Sequence, residues 1–211
     1  MTATSDSIEL AGCPLGDCRH VCAFFVTAAD EYRTMTPFVL AGLEHGERSV
    51  TVVPRARADH VGRLRASGID VESALARRQL EVLYSEDTYT RDGRFDQDRM
   101  LALLPDLLDE GRRLGYAKTR LVAHAEFVLT EESNALAFVE YEARLNEVLP
   151  RYPDVVICTY DLGQVGAGAA MDALRTHPMV LIAGVLRNNP HYVQPDVFIE
   201  ELRQRPRPVR H

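Results

Sequence analysis

Tryptophan is absent from the 211-residue chain, and lysine occurs once, as Lys118, so 23 of the 24 basic residues are arginine. The near-absence of lysine excludes whole chemistries. A P-loop sets its lysine on the phosphates and a Schiff-base enzyme needs a lysine nucleophile, and only Lys118 could serve either role. No G-x-x-x-x-G-K-[ST] occurs, and the segment after the first strand candidate, TAADEYRTMTPF, has neither glycine nor lysine. Neither ATP nor pyridoxal phosphate is expected as a cofactor, and no ATP hydrolysis. A G-x-S-x-G elbow is missing too. No stretch approaches the ~20 apolar residues of a membrane span. The start MTATSDSIEL is acidic and polar where a signal peptide is basic and then apolar. A cytoplasmic protein without a membrane partner is the expectation. The net charge of −7 denies the chain the positive field of nonspecific nucleic-acid binding, so nucleic acid is not expected as a partner. The run Arg203, Arg205, Arg207, Arg210, split by Pro206 and Pro208, reads as a frayed C-terminus.

What is present is an alternation of short β-branched runs with longer helical patterns, the order of repeated βα units. Strands are predicted over His20–Val26, Ser49–Pro54, Leu80–Tyr84, Thr119–Phe127, Val155–Tyr160 and Met179–Val185. Helices are predicted over Asp30–His45, Ala58–Ser67, Asp96–Leu114, Glu131–Leu149 and Gly166–Arg175, with a further short helix at Asp196–Arg203. Asp96 and Thr130 supply start signals, and Gly46, Gly68 and Gly115 sit where helices end. VVIC and MVLIAG are continuous apolar runs, as in strands buried on both faces. The fold class is therefore α/β: three layers, a mostly parallel sheet of about six strands, and one domain, with no linker or internal repeat to divide it. In such sheets ligands bind beyond the carboxyl ends of the strands, which directs attention to the loops after Val26, Pro54, Tyr84, Phe127 and Tyr160.

Cysteine and histidine supply the candidate chemistry. Cys13, Cys18, His20 and Cys22 form C-x4-C-x-H-x-C, thiolate and imidazole being ligands of zinc, copper or iron. The spacing is not that of a zinc knuckle, and the same residues also read as a buried strand cysteine, Cys22, after two incidental loop thiols. On the fourth strand His124 and Glu126 alternate with Ala125 and would share a face; such a pair is costly to bury unless it is partnered, by a ligand or by its own neighbours. The fifth strand ends in Cys158, Tyr160 and Asp161, and a turn-rich loop carries Arg94. Glu142 and Asn146 share one helical face and read as solvated or capping residues.

The phrases RHVCAFF, PFVLAGLEHGERSVTVV, GIDVESALARRQLEVL, DTYTRDGRFDQDRML, EYEARLN, VICTYDL and RTHPMVLIAG, in that order, resemble the MEDS (methanogen/methylotroph sensory) domain family. The resemblance implies a degenerate RecA/KaiC-like core without a P-loop and a sensor of small carbon compounds. It divides the chain into an N-terminal segment (1–18), the MEDS-like domain (19–193) and a C-terminal helix and tail (194–211). By position the family's H-x-C is His20 and Cys22, its C-x-Y-D is Cys158, Tyr160 and Asp161, and its T-H-P is Thr176, His177 and Pro178. Cys13 and Cys18 lie outside the matched part. The expected ligand-binding residues are Cys22, Arg94, His124, Glu126, Tyr160, Asp161 and His177. A transition metal such as zinc is the candidate cofactor, on His20, Cys22, His124 and Cys158. The leading reading is a sensory domain that signals to a separate kinase-like or anti-sigma regulatory protein, as a homo-oligomer or alone. The alternatives are a metal-dependent enzyme with Glu126 as general base and a regulator acting through its surface.

Overall fold

A computed structural model describes residues 8–129 and 132–205; the start signal at Thr130 and Glu131, and the tail from Pro206, lie outside them. After a short hairpin of β1 (Glu9–Leu10) and β2 (Cys13–Pro14) comes a seven-stranded sheet. Its strands are β3 (His20–Phe25), β4 (Arg48–Val53), β5 (Leu80–Tyr84), β6 (Thr119–His124), β7 (Val155–Asp161), β8 (Met179–Ile182) and β9 (Val185–Asn188). They lie in the order β5-β4-β6-β7-β3-β8-β9, every pairing parallel except β8 with β9. One sheet face packs on α1 (Ala28–Glu44), α2 (His60–Ala66) and α3 (Val71–Ala76) through Val21, Ala23, Phe25, Val122 and Ile157. The other packs on α5 (Gln97–Arg113), α7 (Glu132–Val148), α8 (Ala167–Arg175) and α9 (Pro195–Gln204) through Phe24, Leu121, Ala123, Val156 and Tyr160. Two four-residue helices, α4 (Ser85–Thr88) and α6 (Glu126–Leu129), follow β5 and β6. The three-layer α/β architecture is thus as the apolar runs require.

Two predicted elements differ. The run Met179–Val185 is not one strand: Ala183 and Gly184 both take positive φ, 51° and 76°, the pairing of a tight hairpin turn. The chain reverses there and adds the antiparallel edge strand β9. The fourth strand stops at His124 instead of running to Phe127. The Ala125 amide donates to the Thr159 carbonyl at 3.1 Å and the chain then coils into α6. His124 and Glu126 therefore do not share a strand face.

The loop after β3 also bears on nucleotide chemistry. Thr27 caps α1 directly, its hydroxyl accepting from the Asp30 amide at 3.1 Å. The helix begins at once, with Asp30 and Glu31 in its first turn. Helix N-termini hold phosphate with bare amides and positive potential; here a side chain takes one amide and two carboxylates, ion-paired with Arg33 and Arg57, occupy the first turn. Lys118 stands at the opposite, amino-terminal edge, 3.9 Å from Glu47.

Close approach of α1 to the sheet depends on Gly42. A Cβ there would lie 2.8 Å from Cδ and 2.9 Å from Nε of Arg120. That arginine is buried, paired with Glu47, donates to the Phe38 carbonyl at 3.0 Å and stacks on the Phe38 ring, so it has no room to retreat. Gly42→Ala is expected to cost about 1–3 kcal/mol, overpacking outweighing the gain in helix propensity. Urea denaturation reads this directly, and an unchanged midpoint would mean that Arg120 moves freely.

Candidate functional site

The helix α7 carries Phe138 and Leu145 on its inward stripe, continued by Leu149 in the turn after it, and Glu142 occupies the same stripe, fully buried. A carboxylate in that position needs partners. It finds them on three other segments: His20 at the start of β3, Cys158 in the middle of β7, and His177 between α8 and β8, all buried. Oε2 of Glu142 lies 3.1 Å from Nε2 of His20 and 3.0 Å from Nε2 of His177. The Cys158 thiol is 3.6 Å from both Glu142 Oε1 and His20 Nε2. One donor atom from each of the four residues falls within 4.8 Å of all the others.

The far sides of both imidazoles are fixed. His20 Nδ1 is 3.2 Å from Asn146 Oδ1, and the Asn146 amide nitrogen in turn donates to the Thr176 carbonyl at 2.7 Å. His177 Nδ1 is 2.7 Å from the Ala173 carbonyl. Both Nδ1 atoms face acceptors and so carry a hydrogen, and each Nε2 is turned to the Glu142 carboxylate. Burial, and next His177, push the His20 pKa down, with Glu142 and Asn146 offsetting only part of this. Burial raises Glu142, but His177 and His20 together outweigh it and hold the carboxyl at about 2. The acid is ionised, yet its Oε2 and the His177 Nε2 lack hydrogen-bond alignment despite their separation. Burial, then Glu142, pushes Cys158 far above the ordinary thiol range.

Cys22 faces Cys158 in register across β3 and β7, beside this group rather than in it. Tyr160, two residues further along β7, is buried, and its hydroxyl meets no hydrogen-bond partner among the described residues. Beyond Glu142, the neighbouring Tyr141 lines an apolar cavity between α5 and the sheet, formed also by Leu83, Tyr89, Met100, Leu104 and Leu121. The Tyr89 and Tyr141 rings meet there edge to face, 6.4 Å between centroids, and burial raises both pKa values well above the usual range.

His20, Cys158 and His177 are thus brought together, with Cys22 and Tyr160 adjacent. The remaining residues lie elsewhere. His124 is on the opposite sheet face, 3.0 Å from Glu31, so it cannot join the set expected with His20 and Cys158. Glu126 sits on α6. Arg94 is exposed. Asp161 accepts from the Gly163 amide and the Gln164 side chain, at 2.8 and 2.7 Å, and so closes the local turn. Cys13 is exposed and the Cys18 thiol donates to the His20 carbonyl, so the N-terminal four-ligand arrangement does not form. The group lies toward the amino ends of β3 and β8, not beyond the carboxyl ends. At the carboxyl edge of β4 and β6 a second polar set, Glu31, Thr51, His60 and His124, lines a small recess. Glu142, which reads from the sequence as a solvated or capping residue, is instead buried at the centre of the group. Its signal was a carboxylate within the 138, 145, 149 apolar stripe.

A family model described as "MEthanogen/methylotroph, DcmR Sensory domain" matches residues 19–178. The chain belongs to the MEDS family. It is a sensory domain, with a regulatory role supported by its similarity to the transcriptional repressor DcmR of Methylorubrum extorquens. The two are 25% identical over 171 residues, 80% of this chain and 62% of DcmR. The MEDS chain thus spans less than two thirds of that relative's length, and the repressor's whole activity is not transferred to it. Since DcmR is a transcriptional repressor, the expectation that nucleic acid is no partner finds no support. Among solved structures, a KaiC-like protein from Pyrococcus horikoshii aligns with a TM-score of 0.55 at 17% identity, over 77% of this chain and 69% of that one. This shows the RecA/KaiC-like fold. No helix among the described residues is long and apolar enough to cross a membrane.

Proposed function

We propose that this MEDS domain senses a small, largely apolar carbon compound taken into the cavity between α5 and the sheet. The observation that carries the reading is the cavity's lining: aliphatic and thioether side chains with few polar ones, Thr88 and the phenols of Tyr89 and Tyr141. A few placed polar groups in an apolar lining are what a selective small-molecule site requires. Tyr141 adjoins Glu142 on α7, so a ligand that moves the phenol also loads the buried His20–Glu142–Cys158–His177 group. From there the change reaches β3, β7 and α8 and is passed to a separate regulatory protein.

Titration of isotope-labelled protein with a series of one- to three-carbon hydrocarbons and alcohols tests this. Saturable shifts are expected at Tyr89, Met100 and Tyr141, and Leu104→Trp, which fills the cavity, is expected to abolish them. Shifts that persist in Leu104→Trp would place the ligand elsewhere.

A further inference from the structure

We infer that His20, Glu142, Cys158 and His177 form a closed tetrahedral centre for a borderline-soft divalent cation of the zinc type. This goes beyond the ligand reading and does not depend on it. Zinc binds imidazole nitrogen or carboxylate oxygen at about 2.0–2.2 Å and thiolate at about 2.3 Å. A tetrahedron with those bonds separates nitrogen and oxygen donors by about 3.3 Å, and nitrogen or oxygen from sulfur by about 3.6 Å. The group has 3.0 and 3.1 Å for the first kind and 3.6 Å twice for the second. These four edges stand within a few tenths of an ångström of the required lengths, the nitrogen edges measured to Glu142 Oε2 and the sulfur edge to Oε1, and one donor atom of each residue lies within 4.8 Å of all the others.

Hydrogen bonding argues the same way. Two imidazole Nε2 atoms, a carboxylate oxygen and a thiol sulfur converge in a fully buried place, the donor set of a cation site. The outward Nδ1 hydrogens are held by the Asn146 side chain and the Ala173 carbonyl, the outer arrangement that fixes metal-ligating histidines. Binding would displace the Cys158 thiol proton to solvent and leave a thiolate on the ion. Nitrogen with sulfur selects zinc-like ions over magnesium or calcium, which take oxygen ligands. Four protein donors leave no open position of the kind a hydrolytic zinc keeps, so the centre would tie β3, β7, α7 and the α8–β8 junction together without attacking a substrate.

The experiment uses the full chain purified without chelator. Elemental analysis is expected to find about one zinc per chain. Chelator-treated protein given Co(II) should develop the visible bands of tetrahedral cobalt and a near-ultraviolet thiolate charge-transfer band. Cys158→Ser should remove the charge-transfer band. Asn146→Ala, which touches no donor directly, should weaken metal affinity about 10–100-fold. Folded wild-type protein with no stoichiometric metal and no cobalt spectrum would overturn the inference, leaving the group a protonated histidine–carboxylate pair. So would a cobalt spectrum unchanged in both variants. Hydrocarbon and alcohol binding, and its loss in Leu104→Trp, are read separately, so either idea can fail alone.

Discussion

Glu142→Ala is expected to lower the melting temperature by about 10 °C, the largest single-residue effect anticipated in this chain. Breaking a buried charged group by removing one partner costs about 3–5 kcal/mol, and in a domain of this size each kcal/mol moves the melting temperature by about 2–4 °C. The loss has two parts. The carboxylate touches His20, His177 and Cys158 together, so its removal strands the His177 nitrogen and leaves His20 Nε2 and the Cys158 thiol only each other in an apolar interior. It also opens a hole in the stripe shared with Phe138 and Leu145, where all side chains are buried. Glu142→Gln keeps the volume and loses the charge, and should fall between the variant and the parent. Calorimetry of the three proteins decides the matter: a shift below about 3 °C for Glu142→Ala would mean that the carboxylate does not hold the group together. Chelator treatment of the parent adds a diagnostic, since a bound cation contributes binding free energy to the folded state alone.

Much of the architecture could be read in advance because periodicity reports burial. The continuous run VVIC is a strand buried throughout, while in MVLI only Val180 and Leu181 are buried and Ile182 is exposed near the sheet edge; Gly46, Gly68 and Gly115 do take the left-handed conformation after their helices, at φ 73°, 90° and 91°. The failures have physical causes. Val185 prolongs an apolar run, so hydrophobicity alone cannot see that Ala183 and Gly184 reverse the chain between two strands. The face-sharing of His124 and Glu126 held only while the strand was extended through both, and a backbone hydrogen bond to Thr159 ends it in between. The candidate site was half legible. His20, Cys158 and His177 were singled out one by one, but their meeting depends on β3 lying between β7 and β8, a strand order that no local pattern states. Glu142 was hidden by a rule that usually works, that a glutamate on a helix faces water. The carboxyl-edge rule for ligand sites pointed instead to the recess of Glu31, His60 and His124, on the other face of the sheet.

That recess sets the second large effect, a loss of stability on acidification between about pH 6.5 and pH 4. His60 is buried, with Nδ1 2.9 Å from the Tyr32 hydroxyl and Nε2 3.1 Å from the Thr51 hydroxyl. Two hydroxyls can satisfy a neutral ring, since each donates or accepts as required. Nothing comparable offsets a positive one. Burial, and next the charges of His124 and Arg57, outweigh the opposing pull of Asp59 and bring the pKa from 6.5 down to about 4. Glu31 gives little help, being committed to Arg57 at 2.7 Å and to His124. Above pH 6.5 the ring is neutral both folded and unfolded and costs nothing. As the pH falls through 6.5 the unfolded chain takes up a proton that the folded chain refuses until about pH 4, so stability drops across that window by about 3 kcal/mol. His20, lowered by its burial, acts in the same direction, whereas Glu142 contributes only below about pH 4.5, down to about 2. The windows therefore separate. Urea midpoints measured from pH 7 to pH 4.5 should fall steeply in the parent and less steeply in His60→Gln, which keeps a donor and an acceptor but cannot take up the proton. Parallel slopes in the two proteins would show that His60 titrates normally in the fold and that its pairing with Tyr32 and Thr51 yields to protonation.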